Sequence, residues 1–292
     1  MKIAIIGSNG QLGSDLVRVL TRRRHEVVAL THSDIEVADG ASVMKALGEA
    51  EPEAVVNCAA FHRVDECESR PEHAFGVNSL GALNVARTCS EIRALCVYIG
   101  TDYVFDGAKA SSYEEADVPS PINVYGTSKL AGEHLVAQAC PESIVVRVAS
   151  LFGVAGASGK GGNFIEAILG KAASGGPVRV VDDIVMSPTY TYDAAVAIEA
   201  LVTRPDDSAP GLFHLTNRGA TTWYGFASKI LELTSSPVQP EPIKSSDPAP
   251  SGKARRPANS ALTTSRSADF PALALRDWED ALKDYLADKG HL

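Results

Sequence analysis

An apolar run, KIAIIG (residues 2–7), passes directly into a glycine-spaced turn, GSNGQLG (7–13), and on into an amphipathic stretch over 11–23. A buried strand that breaks so abruptly into a helix constrains the fold more than any other feature here. Such a unit must carry its helix across the face of a sheet. Gly7 permits the tight turn, Gly10 leaves out the side chain that would block a pyrophosphate, and Gly13 lets the helix approach the strand. The unpaired N–H groups and positive dipole end of the new helix then face a bound phosphate. The spacing is G-x-x-G-x-x-G rather than G-x-G-x-x-G. Its position on the first strand of an alternating series favours a dinucleotide over an ordinary strand–helix turn.

That series continues through EVVALT (26–31), AVVNCA (54–59), LCVYIGT (95–101) and SIVVRVA (143–149). These runs are rich in Val and Ile and apolar on successive residues, which predicts strands covered on both faces. Helical stretches over 11–23, 41–49, 72–92 and 123–139 lie between them, so the pattern is α/β with a doubly wound parallel sheet. After residue 150 the texture changes. A glycine-rich segment, LFGVAGASGKGGNF, enters a helix near Asn163. Then come a strand at 178–181, a helix from Thr191, a strand at 212–216 and a helix from Thr222. Six prolines within 235–260 make that stretch a surface segment. We divide the chain into a dinucleotide-binding domain, 1–150, and a smaller, mainly substrate-binding lobe, 151–292, with 178–216 able to return to the main sheet.

The formal charge of −9 over 292 residues argues against nucleic acid or an anionic membrane surface as a partner, since both require a basic face. No leader or membrane-length apolar run is present, and the five cysteines are odd in number and scattered. These features predict a cytoplasmic protein with neither a disulfide framework nor a zinc site. The second strand ends in Thr31 rather than a carboxylate. That admits the 2′-phosphate of NADP(H) and leaves NAD(H) open.

Tyr125 and Lys129, in YGTSK, stand one helical turn apart on one face. A nearby ammonium favours the phenolate and should draw the tyrosine down from its usual value near 10. The pair would then suit proton delivery to a carbonyl oxygen as hydride reaches its carbon.

GSNGQLG, GTDYVFDG (100–107) and PINVYGTSKLAGE (121–133) together resemble the extended short-chain dehydrogenase/reductases, most closely the dTDP-4-dehydrorhamnose reductase family within them. VVNCAAFHRVDECE, VNSLGALNVA, SPTYTYD and RRPANSAL extend the resemblance over nearly the whole chain. It implies a Rossmann-like sheet with a C-terminal substrate lobe, and NAD(P)H-dependent reduction of the 4-keto group of a dTDP-deoxysugar. Thr101, Tyr125 and Lys129 are the implied catalytic residues. Gly7, Gly10, Gln11, Leu12, Gly13, Glu36, Val37, Ala59, Ala60 and Asn78 are implied at the cofactor, alongside Thr31. Asp102, Ser150, Asn163 and Arg256 join Thr101 and Tyr125 at the sugar nucleotide, with Lys160, Lys253 and Arg255 as further candidate cations. Mg²⁺ serves some members, but no ligand cluster in this sequence predicts one. A homodimer is plausible.

Two departures stand out. Ser150 replaces a tryptophan expected against the deoxysugar, and Phe61-His62-Arg63 replaces a smaller, more neutral run. Two other readings follow from related folds. One is a non-catalytic subunit similar to the regulatory subunit of methionine adenosyltransferase. The other is a reductase or epimerase acting on another nucleotide sugar.

Overall fold

In the computed structural model, which describes residues 1–157, 162–203, 210–245 and 253–292, the alternation folds as a run of parallel crossovers. β1 (Lys2–Ile6), α1 (Gln11–Arg22), β2 (Glu26–Leu30), α2 (Gly40–Ala50) and β3 (Ala54–Asn57) come first. Next are α3 (Val64–Ser69), α4 (Pro71–Phe75), a π-helical turn (Gly76–Gly81), α5 (Ala82–Ile92) and β4 (Leu95–Thr101). A 3-10 turn (Asp102–Val104) precedes α6 (Val124–Ala139) and β5 (Ile144–Val148). The second half holds β6 (Leu151–Phe152), α7 (Phe164–Ala173), β7 (Arg179–Val181), β8 (Val185–Met186), β9 (Thr189–Tyr190) and α8 (Thr191–Val202). It ends with β10 (Gly211–His214), β11 (Thr221–Thr222), α9 (Trp223–Leu233), β12 (Glu241–Ile243) and α10 (Trp278–Asp288).

The main sheet has the order β2-β1-β3-β4-β5-β10, and every pairing in it is parallel. Chain direction along the sheet reverses at β1, which lies between β2 and β3. A crevice therefore opens beyond the carboxyl ends of these strands, where α/β sheets place their ligands. Leu16 and Leu20 of α1 pack with Ala194, Ile198 and Leu201 of α8 on one sheet face. On the other face Val43, Val85 and Val136, from α2, α5 and α6, cover Val55 and Tyr98. Strand β10 and helix α8 thus belong in space to the first layer. The second lobe, with its core of Phe152, Phe226, Trp278 and Tyr285, is not continuous in sequence.

Among the differences from the sequence-based expectation, three bear on the site and the core, while strand β12 (Glu241–Ile243) forms inside the proline-rich stretch read as surface. Strand β2 is an edge strand and leaves Glu26 and Ala29 exposed. The single helix expected over 72–92 is broken by the π-helical turn, whose wider backbone ring turns Asn78 into the interior. Helix α10 was not anticipated, although Trp278, Ala281, Leu282, Tyr285 and Leu286 follow helical periodicity and are all buried.

Helix α6 approaches its neighbours closely because it carries glycine where they meet. A Cβ at Gly126 would stand 2.1 Å from the Tyr103 carbonyl oxygen. One at Gly132 would stand 2.3 Å from the Asn78 carbonyl and 2.5 Å from the Tyr98 hydroxyl. Backbone oxygens cannot yield that much. Gly132→Ala should therefore lower stability by about 1–3 kcal/mol, read as a fall in the urea midpoint with little change in slope.

Candidate active site

A cleft of about 690 Å³ runs along the carboxyl ends of the sheet, from the glycine turn to α6. Gly7, Gly10, Gln11, Leu12 and Gly13 line its first end. Thr31, Glu36 and Val37 line it beyond β2, and Ala59 and Ala60 beyond β3. Gly13 is obligatory there, since a Cβ would fall 2.1 Å from the Gly7 carbonyl oxygen. Gly10 caps α1 without a side-chain hydrogen bond, so the first-turn N–H groups have neither an intrahelical nor a capping acceptor. The Gln11 side chain is turned away to the second lobe, accepting from Gly153 N at 3.1 Å and donating to the Leu151 carbonyl at 3.4 Å. The backbone is left to meet an anion. These residues fit a dinucleotide, with its pyrophosphate at the start of α1 and its adenosine half beyond β2.

A carboxylate does stand near the tip of β2, three residues beyond the position inspected in the sequence. Asp34 accepts from the Thr31 amide at 2.8 Å and from its hydroxyl at 2.6 Å, which holds its carboxyl below the usual range.

Thr101, Asp102, Tyr125, Lys129 and Ser150 line the other end of the cleft. Thr101 is the last residue of β4, while Tyr125 and Lys129 lie on α6. Tyr125 thus faces Thr101 across this end of the cleft, with its ring 5.9 Å from that of Tyr103, edge to face. The Thr101 hydroxyl donates to Asp102 Oδ1 at 3.0 Å and accepts from the Tyr103 amide at 3.2 Å. Lys129 Nζ donates to the Ile99 carbonyl at 2.6 Å and sits 4.0 Å over the Tyr98 ring. Asn78 does not line the cleft. It braces α6 from below, donating to Ser128 Oγ at 2.9 Å, which in turn donates to the Tyr125 carbonyl at 2.8 Å.

Burial dominates the electrostatics. It pushes the Asp102 carboxyl up to about 6, opposed by the hydroxyls of Ser260 and Thr101. It pushes the Tyr125 phenol well above its ordinary range, with the nearby Thr101 hydroxyl opposing and the Asp102 charge adding to the rise. It lowers Lys129 to about 7, against the pull of Glu133 and Cys58. The phenol thus moves opposite to the sequence-based expectation, because desolvation of the phenolate outweighs any help from the lysine, whose ammonium is held at the Ile99 carbonyl.

Other predicted residues lie outside the cleft lining. Asn163 caps α7, accepting from Glu166 N at 3.2 Å, and donates to Tyr285 Oη at 2.9 Å. Arg256 pairs with Asp65 at 2.6 Å and donates to the Ala254 carbonyl at 2.7 Å; its neighbour Tyr103 does line the cleft. Lys253 and Arg255 are exposed, and Lys160 falls outside the described residues. Arg63 pairs with Glu66 at 2.8 Å, so its charge is balanced locally. Sequence reasoning missed Trp223 and His73, which also line the cleft. Trp223 opens α9 with its ring 4.7 Å from that of Phe164, and only the departure at Ser150 hinted that another aromatic wall was needed.

A family model described as the RmlD substrate binding domain matches residues 1–290. The chain belongs to that family. A dTDP-4-dehydrorhamnose reductase from Mycolicibacterium smegmatis is 36% identical over 98% of this chain and 85% of its own length. A dTDP-4-keto-6-deoxy-D-glucose reductase from Streptomyces niveus is also 36% identical, over 95% of this chain and 94% of its own. Among solved structures, a dTDP-4-dehydrorhamnose reductase from Bacillus anthracis in complex with NADP superposes with a TM-score of 0.91 at 30% identity, covering 98% of this chain and 99% of that one. The Rossmann-like fold is common to them. No helix among the described residues is long and apolar enough to cross a membrane.

The lysine supplies a stability test. Its folded-state pKa, about 7, lies below the ordinary lysine value of 10.5. Between those values the unfolded chain holds a proton that the folded chain has released, so stability rises with pH through that window and is lowest below it. In the ligand-free protein, Lys129→Met should be more stable relative to wild type at pH 6.5 than at pH 9, with the gap closing by at most about 1.4 kcal/mol per pH unit. Urea denaturation at the two pH values reads the change. A gap independent of pH would place the amine in water.

Proposed function

We propose that the chain is an NAD(P)H-dependent reductase of the 4-keto group of a dTDP-linked 6-deoxysugar, working in the cytoplasm, with Tyr125 as the proton donor. The observation that carries this reading is that Thr101, Tyr125 and Lys129 line the far end of the same cleft that begins at the glycine turn. The dinucleotide supplies hydride when bound. Tyr125, half-buried and held protonated at neutral pH, gives a proton to the sugar oxygen as negative charge develops there. Thr101 offers its hydroxyl to the same oxygen from the tip of β4. Lys129 places a buried amine where it can donate to a hydroxyl of the cofactor.

Two relatives of equal identity bear the names of reductases for different sugars, so the configuration must be read from the sugar pocket. Ser150 and Trp223 both line the cleft, and Trp223 offers an apolar face for the 6-deoxy carbon where Ser150 leaves space. The precursor of dTDP-rhamnose is the first substrate to assay. The intact Thr101–Tyr125–Lys129 group favours an enzyme over a regulatory subunit. Stoichiometric consumption of added cofactor separates a reductase from an epimerase, which keeps its dinucleotide. The five free thiols suit a reducing compartment.

Tyr125→Phe should cut NADPH oxidation with a dTDP-4-keto-6-deoxysugar by about 100- to 10,000-fold while dinucleotide affinity, read by fluorescence, stays the same. Full turnover by that variant would remove the tyrosine from the reaction.

A further inference from the structure

A phosphate on the adenosine ribose carries a charge of about −1.5 to −2 at neutral pH and needs donors or a cation to meet it. A free 2′-hydroxyl has a proton to give and is matched by a carboxylate. NADPH and NADH therefore require opposite electrostatics at one place, the turn that follows β2.

The donors of that turn are already committed. Asp34 Oδ2 accepts from the Thr31 amide at 2.8 Å and from its hydroxyl at 2.6 Å. The Ser33 hydroxyl lies 2.7 Å from Thr31 Oγ1 and gives its proton there, since the Thr31 proton goes to Asp34. Further along, the Glu36 amide donates to Ser42 Oγ and the Ala38 amide to Glu36 Oε1, each at 3.0 Å. The charges point the same way. Asp34 is an exposed carboxylate, and Glu36 lines the cleft. Against them stands His32, 86% exposed and 3.5 Å from Glu36 Oε2. Among the described residues that line the cleft, the one lysine or arginine is Lys129, at the opposite end.

We propose that Asp34 and Glu36 make this chain prefer NADH to NADPH. This rests on the dinucleotide part of the reading above. Thr31 leaves room at the tip of β2, but its amide and hydroxyl both serve Asp34. A ribose with two free hydroxyls can donate to these carboxylates, whereas a 2′-phosphate brings acceptors and like charge. The preference is one of affinity, and NADPH delivers the same hydride at higher concentration.

Isothermal titration calorimetry without sugar reads the preference directly. Both carboxylates are in contact with solvent, so at low salt the wild type should bind NADH at least about fivefold more tightly than NADPH. Added salt should narrow the gap by screening. Asp34→Asn keeps an acceptor for the Thr31 amide and removes the charge, and should move the ratio part of the way towards NADPH. Asp34→Arg places a guanidinium at the turn and should tighten NADPH by at least about tenfold, with NADH within about twofold of wild type. With a dTDP-4-keto-6-deoxysugar, the ratio of kcat/KM for the two cofactors should follow the ratio of their affinities in each variant.

Wild-type protein that binds NADPH as tightly as NADH would overturn the preference. So would an Asp34→Arg variant in which both affinities change by the same factor, which is the mark of a merely structural role. Should that variant fail to fold, the wild-type ratio and its salt dependence decide alone. Binding of neither dinucleotide would remove the cofactor itself and the preference with it. Tight NADH binding without reduction of any such sugar would instead overturn the reductase reading and leave the preference standing.

Discussion

The reactive end of this molecule depends on how closely α6 lies against the tip of β4. Glycine at 126 and 132 brings the helix backbone to within van der Waals distance of the Tyr103 and Asn78 carbonyls, and every side chain that meets at the cleft inherits its position from that contact. A buried ion pair fixes the same helix to the sheet. Arg147 of β5 donates to both oxygens of Glu133, at 3.0 and 2.7 Å, with its side chain 3% exposed. Gly100 leaves room for the pair, since a Cβ there would stand 2.6 Å from Glu133 Oε1. Such a pair adds little net stability against an apolar substitute, but removing one partner strands a charge. It specifies register rather than strength, and register is what places Tyr125 beside Thr101.

Close packing also sets the electrostatics. Packing around the ends of β4 and α6 desolvates Tyr125, Lys129 and Asp102, and all three shift toward their neutral forms. A neutral phenol is a ready proton donor, but the same desolvation makes the phenolate expensive to leave behind. The site must therefore recover a proton promptly.

The sheet was legible in the sequence because its strands are continuous Val- and Ile-rich runs and its helices are periodic. The glycine turn and the Tyr125–Lys129 pair were legible because their chemistry demands particular residues at particular spacings. Asn163 and Arg256 show where spacing runs out. The resemblance implies both at the sugar nucleotide, while their side chains bind Tyr285 and Asp65, neighbours 122 and 191 residues away in sequence. Trp223 could not be placed at the cleft without knowing that the start of α9 folds over the sheet ends. The direction of the Tyr125 shift was misjudged for a related reason. Residue spacing reveals a neighbouring charge, whereas desolvation depends on everything packed around the group.

The claim beneath all of this is that hydride passes from a reduced nicotinamide to a sugar carbon held under Thr101 and Tyr125. Reduction of a dTDP-4-keto-6-deoxysugar with stereospecifically 4-deuterated NADPH, followed by mass spectrometry of the product, tests it most directly. The account predicts one deuterium at sugar C4 when one face of the nicotinamide carries the label, and none when the other does. Unlabelled product from both cofactors, or product formed without consumption of NADPH, would contradict it.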